Sequence, residues 1–300
     1  MQEKINLIYI LSCGRSGSTL LDLMLGSHEK IFTLGEFDIL PWEIQVNKQP
    51  CGCGVPINEC GFWSPLIKLK QSSLDNPLMK LYRNSHTKAL VIRWEELFEN
   101  VPSEKKIQKY SEYGKLNFDI LKLVVEKTGN KDILLCDSSK DLYRLRALHY
   151  SGLFNIQCIH MVRGVHGFLH SITKPDKGIY KVYKTVRMNL RWLIQNFLFE
   201  HYTKKLLGQG NTYTLYYEKL ASNSKEEIKK VSEWLGIAYS EKLVSDFRTK
   251  NHAIAGNPMR RENKMIILDE KWKKEMPYWQ KSLISIISFF STRTSKCKID

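Results

Sequence analysis

The sequence predicts an α/β fold, a single domain in which a central parallel sheet is flanked by helices. Short apolar runs bounded by turn or charged residues recur along the chain, and helical patterns separate them. Such alternation is typical of parallel strands, because each parallel connection has to cross over the sheet. No Gly/Ser-rich or Pro-rich linker divides the 300 residues, which can bury a substantial core. We therefore expect one domain over residues 1–300.

The elements follow from the apolar pattern along the chain. Strands are expected at residues 5–12, 31–34, 132–136, 155–162 and 212–217. Helices are expected at about residues 18–28, 79–99, 104–129, 139–150, 166–173, 179–207, 224–236 and 240–248. Residues 41–75 fit neither pattern and predict an irregular, cysteine-rich insertion, and a basic tail ends the chain. In such sheets ligands bind at the carboxyl ends of the strands, so the polar residues there are the candidates.

The junction that follows the first strand has the composition of an anion site. Two glycines let the backbone approach a ligand, three hydroxyls add donors, and an arginine adds a fixed positive charge. These residues are Gly14, Arg15, Ser16, Gly17, Ser18 and Thr19. A Walker A loop is excluded, because the chain contains no Gly-Lys-Ser or Gly-Lys-Thr. The junction predicts a phosphate-bearing nucleotide, and the alternative is a tight turn made of small residues.

Three other segments carry polar residues near strand ends or in a loop. Arg163 ends a strand and Ser171 follows eight residues later on a helical segment, so both could contact one phosphate. Lys140 follows the strand at 132–136, although Asp137 or Ser138 could simply cap the next helix while Lys140 faces solvent. Residues 251–263 form a Gly/Asn/Pro loop with two arginines, which could fold over a nucleotide as a basic lid.

Composition narrows the classes of partner. The net charge of +15 favours an anionic ligand, which could be a nucleotide, an acidic glycan, a nucleic acid or a membrane surface. We expect no nucleic-acid partner, because no recognised RNA- or DNA-binding pattern occurs. The chain contains no apolar run of 18 residues, so we expect no transmembrane helix. The absence of a signal-peptide pattern favours a cytoplasmic protein. The last part of the chain, KSLISIISFFSTRTSKCK, predicts either a packed terminal helix or a peripheral contact with the inner face of a membrane.

The cysteines are unevenly spaced. Cys51, Cys53 and Cys60 cluster, while the other four are scattered along the chain. An odd total argues against a disulfide framework. Three close thiols are one fewer than a self-contained structural zinc site requires. The cluster is therefore interpreted as a turn-rich structural knob, a disulfide, or a metal site with a remote fourth ligand.

Taken together and in this order, the segments resemble the sulfotransferases that use 3′-phosphoadenosine 5′-phosphosulfate (PAPS). The resemblance is closest to the branch with protein-tyrosine and bacterial carbohydrate sulfotransferases, and it spans residues 5 to 261. It implies a fold similar to that of P-loop NTPases. The cysteine insertion also looks like one found in bacterial members. Two departures are a Cys-Gly pair in place of the usual Pro before Arg15, and Arg163-Gly164 in place of the commoner Arg-Asp.

The resemblance also implies roles in binding PAPS. Residues 14–19 would bind the 5′-phosphosulfate, and Arg163 with Ser171 would bind the 3′-phosphate. Tyr217, in a Tyr-Glu-x-Leu segment, would contribute to the nucleotide pocket. The loop that covers the nucleotide would contain Gly256, Asn257 and Arg260.

For catalysis, the resemblance implies a general base and two positive charges. Glu36 lies at the offset from Arg15 at which tyrosine-sulfating relatives have their catalytic Glu, so it would take the proton of the acceptor hydroxyl. Arg15 and Lys140, the latter in a Lys140-Asp141 step, would neutralise charge on the transferring group, so no metal is required for the reaction. Competing bases, ranked below Glu36, are His28, His160, His166 and His170.

The expected reaction is transfer of a sulfuryl group to a hydroxyl, with a carbohydrate or glycolipid acceptor favoured. Two other classes remain open. One is a P-loop-type kinase or NTPase, which would bind ATP with Mg²⁺. The other is a non-enzymatic protein that binds anionic glycans or membrane surfaces.

Overall fold

The structure, a computed structural model, describes residues 3–47, 49–76, 79, 101–247, 251–256 and 266–292. Five parallel strands form one sheet in the order β2-β3-β1-β4-β5. They are β1 (Ile5–Ser12), β2 (Ile31–Gly35), β3 (Leu134–Asp137), β4 (Phe154–Val162) and β5 (Thr212–Tyr216). All five predicted strands are present, and the α/β fold class with a central parallel sheet is confirmed.

Helices connect the strands. They are α1 (Ser18–Gly26), α2 (Leu40–Trp42), α3 (Trp63–Asp75), α4 (Glu104–Thr128), α5 (Leu142–Tyr150), α6 (Val165–Thr173), α7 (Gly178–Leu207), α8 (Tyr217–Ser222), α9 (Ser224–Leu235), α10 (Lys242–Ser245), α11 (Lys271–Glu275) and α12 (Tyr278–Thr292). The helix predicted at 79–99 lies outside the described residues, apart from Met79. The helix predicted from residue 139 begins at Leu142, because the Asp141 side chain caps it by accepting hydrogen bonds from the backbone N–H groups of Tyr143 and Arg144. Neither Asp137 nor Ser138 provides this cap.

The sheet is covered on both faces, as expected of parallel strands. Successive residues of β1 alternate between two apolar clusters. Leu7, Tyr9 and Leu11 belong to the cluster that includes side chains of α4, α5 and α7. Ile8 and Ile10 belong to the cluster that includes side chains of α1 and α9. This two-sided burial explains why the strands are almost continuously apolar in sequence.

Residues 41–75 are less irregular than predicted. The expectation is wrong over Trp63–Asp75, which form α3. Trp63, Leu66 and Ile67 recur at helical spacing and are buried in the same cluster as one face of β1. The glycines, prolines and cysteines before Trp63 mask this pattern in the sequence.

The end of the described chain is a packed helix. In α12, Gln280 is buried and its side-chain amide donates hydrogen bonds to the hydroxyls of Thr173 and Thr185, at 2.8 and 2.9 Å. Ile284 of the same helix is also buried. The packed-helix interpretation therefore holds for α12. Among the residues that the structure describes, no helix has both the length and the apolar character needed to cross a membrane.

Candidate active site

The carboxyl ends of the five strands meet at one edge of the sheet, where each strand delivers a polar residue or loop. The loop at residues 13–17 follows β1, and Glu36 follows β2. Lys140 lies three residues after β3, Arg163 directly follows β4, and Tyr217 directly follows β5. The order of connections reverses between β1 and β4, where open parallel sheets commonly bind a ligand.

The loop after β1 presents the start of α1. Arg15 and Gly17 have positive φ angles of 67° and 87°, which turn the chain sharply into the helix. Gly17 offers no capping side chain, and its carbonyl accepts the N–H groups of Leu20 and Leu21. The hydroxyl of Ser16 is buried and has no hydrogen-bond partner among the described residues. A helix start with an unpaired hydroxyl beside it is suited to an anion.

Gly17 and Gly14 differ in their surroundings. A Cβ atom at Gly17 would lie 2.6 Å from Cδ2 of Tyr217 and 3.0 Å from Cε of Met161. Gly17 therefore allows both the positive φ angle and the close packing of the loop against Tyr217. At Gly14 a Cβ atom would have no neighbour within 4 Å, so space is open beside that part of the loop.

Arg163 joins the ends of β1, β4 and β5. Its guanidinium donates from Nη1 to the carbonyl of Arg15 at 3.0 Å and lies over the Tyr217 ring, 4.7 Å from the centroid. Nη2 donates to Oδ2 of Asp269 at 2.9 Å. Burial raises the pKa of Asp269, but the hydrogen bond and charge of Arg163 outweigh this effect and lower it below its ordinary value. An anionic group of the protein is thus already bound to Arg163.

Ser171 lies on the helix against which Arg163 packs. A Cβ atom at Gly167 would be 3.0 Å from Nε of Arg163, so the guanidinium lies directly against this part of α6. Ser171 is four residues further along the same helix, and residues at this spacing share a face. Arg163 therefore packs against the side of α6 that also carries Ser171.

Glu36 and Lys140 form an ion pair, with Nζ of Lys140 2.5 Å from Oε1 of Glu36. The side chains are 24 % and 13 % exposed, so the pair is partly open to solvent while most of it is shielded. The backbone N–H of Glu36 donates to the carbonyl of Ile254 at 2.8 Å. The pair joins the loops after β2 and β3, and it requires a carboxylate at Glu36 and an ammonium at Lys140.

A buried polar network supports Lys140, whose φ angle is +66°. Oδ2 of Asp137 accepts from Nε and Nη2 of Arg144 at 3.1 and 2.8 Å, and both side chains are fully buried. The other carboxylate oxygen of Asp137 accepts from the backbone N–H of Ser139 at 2.9 Å. The hydroxyl of Tyr9 donates to the carbonyl of Asp141 at 2.7 Å. These bonds hold the chain on both sides of Lys140.

Two buried carboxyl groups, those of Asp22 and Asp38, are not apparent from the sequence. Burial raises the pKa of Asp22 to about 7 and that of Asp38 to about 8. Oδ1 of Asp38 has no hydrogen-bond partner among the described residues, and Glu36, two residues earlier, adds to the rise in its pKa. In the sequence both are polar residues beside apolar ones, and only the tertiary fold shows that they are buried.

Part of the loop that is predicted to cover the nucleotide lies outside the described residues, namely Asn257 and Arg260. Gly256 is described, with a φ angle of +98°, and ends a segment in which Ile254 pairs with Gly35 at the end of β2. Among the histidines, His28 and His160 are bound by protein groups: Nε2 of His28 lies 2.9 Å from the carbonyl of Ala238, and Nε2 of His160 lies 3.1 Å from Oδ1 of Asn196. Burial also lowers the pKa of His160 to about 4.

No protein-family model and no curated protein matches the sequence. Among solved structures, the sulfotransferase domain of the Synechococcus PCC 7002 olefin synthase is similar, with a TM-score of 0.57 and 18 % identity over 97 % of this chain and 96 % of that one. The sulfotransferase domain of the curacin biosynthetic pathway has a TM-score of 0.55 and 19 % identity, over 97 % and 99 % of the two chains. The chain therefore has the fold of sulfotransferase domains.

Proposed function

We propose that this protein is a PAPS-dependent sulfotransferase, which moves the sulfuryl group of PAPS to the hydroxyl of an acceptor. One observation carries the proposal: within this fold, the Glu36–Lys140 pair and the Arg163–Arg15 contact lie at the same edge of the sheet. The first pair provides a base and a positive charge, and the second provides a nucleotide phosphate site.

The donor would lie across the ends of β1, β4 and β5. Residues 14–19 would receive the 5′-phosphosulfate, because the start of α1 and the Ser16 hydroxyl favour an anion there. Arg163 and Ser171 would bind the 3′-phosphate, and Tyr217 would line the nucleotide pocket. The loop with Gly256, Asn257 and Arg260 would cover the nucleotide.

The reaction is an in-line displacement at sulfur. The acceptor oxygen forms a new S–O bond while the S–O bond to the 5′-phosphate of the nucleotide breaks, and Glu36 takes the proton of the hydroxyl. Lys140 and Arg15 stabilise the negative charge that develops on the bridging and sulfuryl oxygens. The products are the sulfate ester and 3′-phosphoadenosine 5′-phosphate (PAP), and these residues require no metal ion for this step.

We propose a carbohydrate or glycolipid as the acceptor. The net charge of +15 suits an acidic or already sulfated glycan as well as the anionic donor. A peripheral contact between the basic tail and the inner face of a membrane would bring the site near glycolipids.

Thermal unfolding with nucleotides tests the proposal. PAP should raise the unfolding midpoint, because a ligand that binds the native state stabilises it. ATP with Mg²⁺ should raise the midpoint much less at the same concentration. A larger rise with ATP and Mg²⁺ would favour a kinase or NTPase, and no response to either would favour a protein without a nucleotide site.

A further inference from the structure

Three cysteines and one histidine, none of which belongs to the candidate active site, meet at one point. Sγ of Cys60 lies 3.6 Å from Sγ of Cys51, 3.6 Å from Sγ of Cys53 and 3.3 Å from Nδ1 of His252. Sγ of Cys51 lies 3.8 Å from the same nitrogen. All four atoms are within 4.8 Å of one another. His252 is the remote fourth group that the cysteine pattern alone could not identify.

Four of the six separations are close to the edges of a tetrahedral zinc site, and the other two are at most 4.8 Å. Zinc binds thiolate sulfur at about 2.3 Å and imidazole nitrogen at about 2.0–2.1 Å, which places neighbouring ligand atoms about 3.5–3.8 Å apart. A disulfide would need sulfur atoms about 2.05 Å apart. A simple apolar knob would not direct three sulfur atoms and a ring nitrogen at one point.

The surrounding backbone positions both parts of the cluster. The N–H of Gly52 donates to the carbonyl of Ala253 at 3.0 Å, and a Cβ atom at Gly52 would collide with Asn251. Nε1 of Trp63 donates to the carbonyl of His252 at 2.6 Å. The ring of Phe62 stacks on the imidazole with centroids 4.9 Å apart. The backbone of His252 is therefore anchored and one face of its imidazole is covered, which holds Nδ1 near the sulfur atoms.

A nearby cation suits the charge of such a site. Three thiolates and one Zn²⁺ carry a net charge of −1. Lys127 donates from Nζ to the carbonyls of Gly61 and Phe62, each at 2.9 Å, and lies over the ring of Phe62 that stacks on His252. Its ammonium is placed to balance the negative charge.

We propose that Cys51, Cys53, Cys60 and His252 bind one zinc ion in a closed structural site. Four nitrogen and sulfur ligands complete the tetrahedron and leave no position for a reacting water. The zinc would join residues 51–60 to residues 251–256, and Ile254 in the latter segment accepts the backbone N–H of Glu36. The site would hold this segment against the end of β2. The proposal does not depend on sulfuryl transfer.

Metal analysis of the full chain tests the site directly. The protein is purified without a histidine tag, under reducing conditions and without chelator, and its metals are measured by mass spectrometry. We expect one zinc ion per chain in the wild type. Cys53→Ser, which changes the least buried of the three thiols, and His252→Asn should both lose the zinc. The control Cys158→Ala, at a buried cysteine of β4 outside the cluster, should retain it.

Cobalt substitution keeps the test independent of whether the variants fold. Wild-type protein stripped with a strong chelator and loaded with Co²⁺ should show thiolate-to-cobalt charge transfer and the visible bands of a tetrahedral complex. Adding Zn²⁺ should remove these bands and restore the unfolding midpoint that the chelator lowered. The proposal would be overturned if the zinc-free protein bound neither Co²⁺ nor Zn²⁺. It would also be overturned by a disulfide between two of the three cysteines in the protein as isolated.

Discussion

The two halves of the candidate active site differ in what binds their charged groups. At the ends of β2 and β3, the Asp137–Arg144 pair and the hydrogen bonds beside Lys140 are internal, although Oδ1 of Asp38 has no partner among the described residues. At the ends of β1, β4 and β5, the hydroxyl of Ser16 and Oε2 of Glu218 are buried without partners among the described residues. There, Arg163 is bound by the partly exposed carboxylate of Asp269.

This difference indicates which half is ready before a ligand binds. Glu36 and Lys140 are held by groups that a ligand need not displace, so this half, the proposed reacting half, is preorganised. The proposed nucleotide half has a hydroxyl without a partner among the described residues, and an arginine whose present partner, Asp269, can be exchanged for a phosphate. Variants in the reacting half should therefore affect turnover or stability, while those in the nucleotide half should affect binding.

Glu36→Gln should have the largest effect. Loss of the base should lower kcat by about 10²–10⁴-fold, because this is the usual contribution of a positioned proton acceptor. The affinity for PAP, measured by titration calorimetry, should stay within twofold of wild type. The control Glu29→Gln changes an exposed carboxylate and should keep full turnover. Retained turnover in Glu36→Gln would exclude this residue as the base.

Arg144→Leu should have the largest effect on stability. It leaves the carboxylate of Asp137 buried and unpaired, which costs about 3–5 kcal/mol in the free energy of unfolding. The matched control Lys115→Met breaks the exposed pair with Asp119 and should cost only about 0.3–0.5 kcal/mol. Urea denaturation measures both. Equal losses would show that the buried network does not stabilise the reacting half.

Arg163→Ala should weaken binding of PAP by roughly 10- to 100-fold, since a hydrogen bond to a charged group contributes about 1.5–3 kcal/mol. An analogue without the 3′-phosphate should lose little affinity. Titration calorimetry with both nucleotides distinguishes the outcomes. A similar loss for the two would contradict the assignment of Arg163 to the 3′-phosphate.

Asp38 should make stability depend on pH. Its pKa is raised from 3.8 to about 8 by burial, so between these values the folded chain keeps a proton that the unfolded chain releases. The contribution to stability is complete below about pH 4 and is lost as the pH rises towards 8, with a slope of about 1.4 kcal/mol per pH unit. Asp38→Asn should lower the measured slope by this amount in urea denaturation series, while the contribution of Asp22, whose pKa is also raised, remains. An unchanged slope would show that Asp38 is already ionised in the fold.

Asp269→Asn should have the smallest effect, and it should raise the affinity for PAP, which Arg163→Ala lowers. Removing the carboxylate that occupies Nη2 of Arg163 should strengthen PAP binding by about two- to fivefold, because a partly exposed ion pair contributes about 0.2–1 kcal/mol. The control Glu275→Gln removes another carboxylate, the partner of Lys174, and should leave the affinity unchanged. Weaker binding in Asp269→Asn would mean that Asp269 orients Arg163 instead of competing with the phosphate.

The sequence predicts best what depends on neighbouring residues. The strands and the loop after β1 are local patterns, and Ser171 follows Arg163 closely enough in sequence to lie on the next helix, α6. Groups brought together from distant positions are harder to predict. His252 lies 192 residues from Cys60, and no pattern in the chain relates the two.

Burial explains most of the other differences between the sequence-based predictions and the structure. Asp137 looks like a helix cap in the sequence, but it becomes the buried partner of Arg144 because α5 packs behind the end of β3. Asp22 and Asp38 look like ordinary polar residues until the fold encloses them. Helix α3 was missed because its apolar face follows a turn-rich segment with three cysteines.

Transfer of radiolabelled sulfur from PAPS tests the central claim most directly. The protein is incubated with labelled PAPS and a mixture of cell-surface glycans and glycolipids, and the products are separated and identified by mass spectrometry. The account predicts labelled sulfate esters on glycan or glycolipid hydroxyls, together with an equal amount of PAP. Tight binding of PAPS without transfer to any hydroxyl in the mixture, or transfer at the same rate by Glu36→Gln, would contradict it.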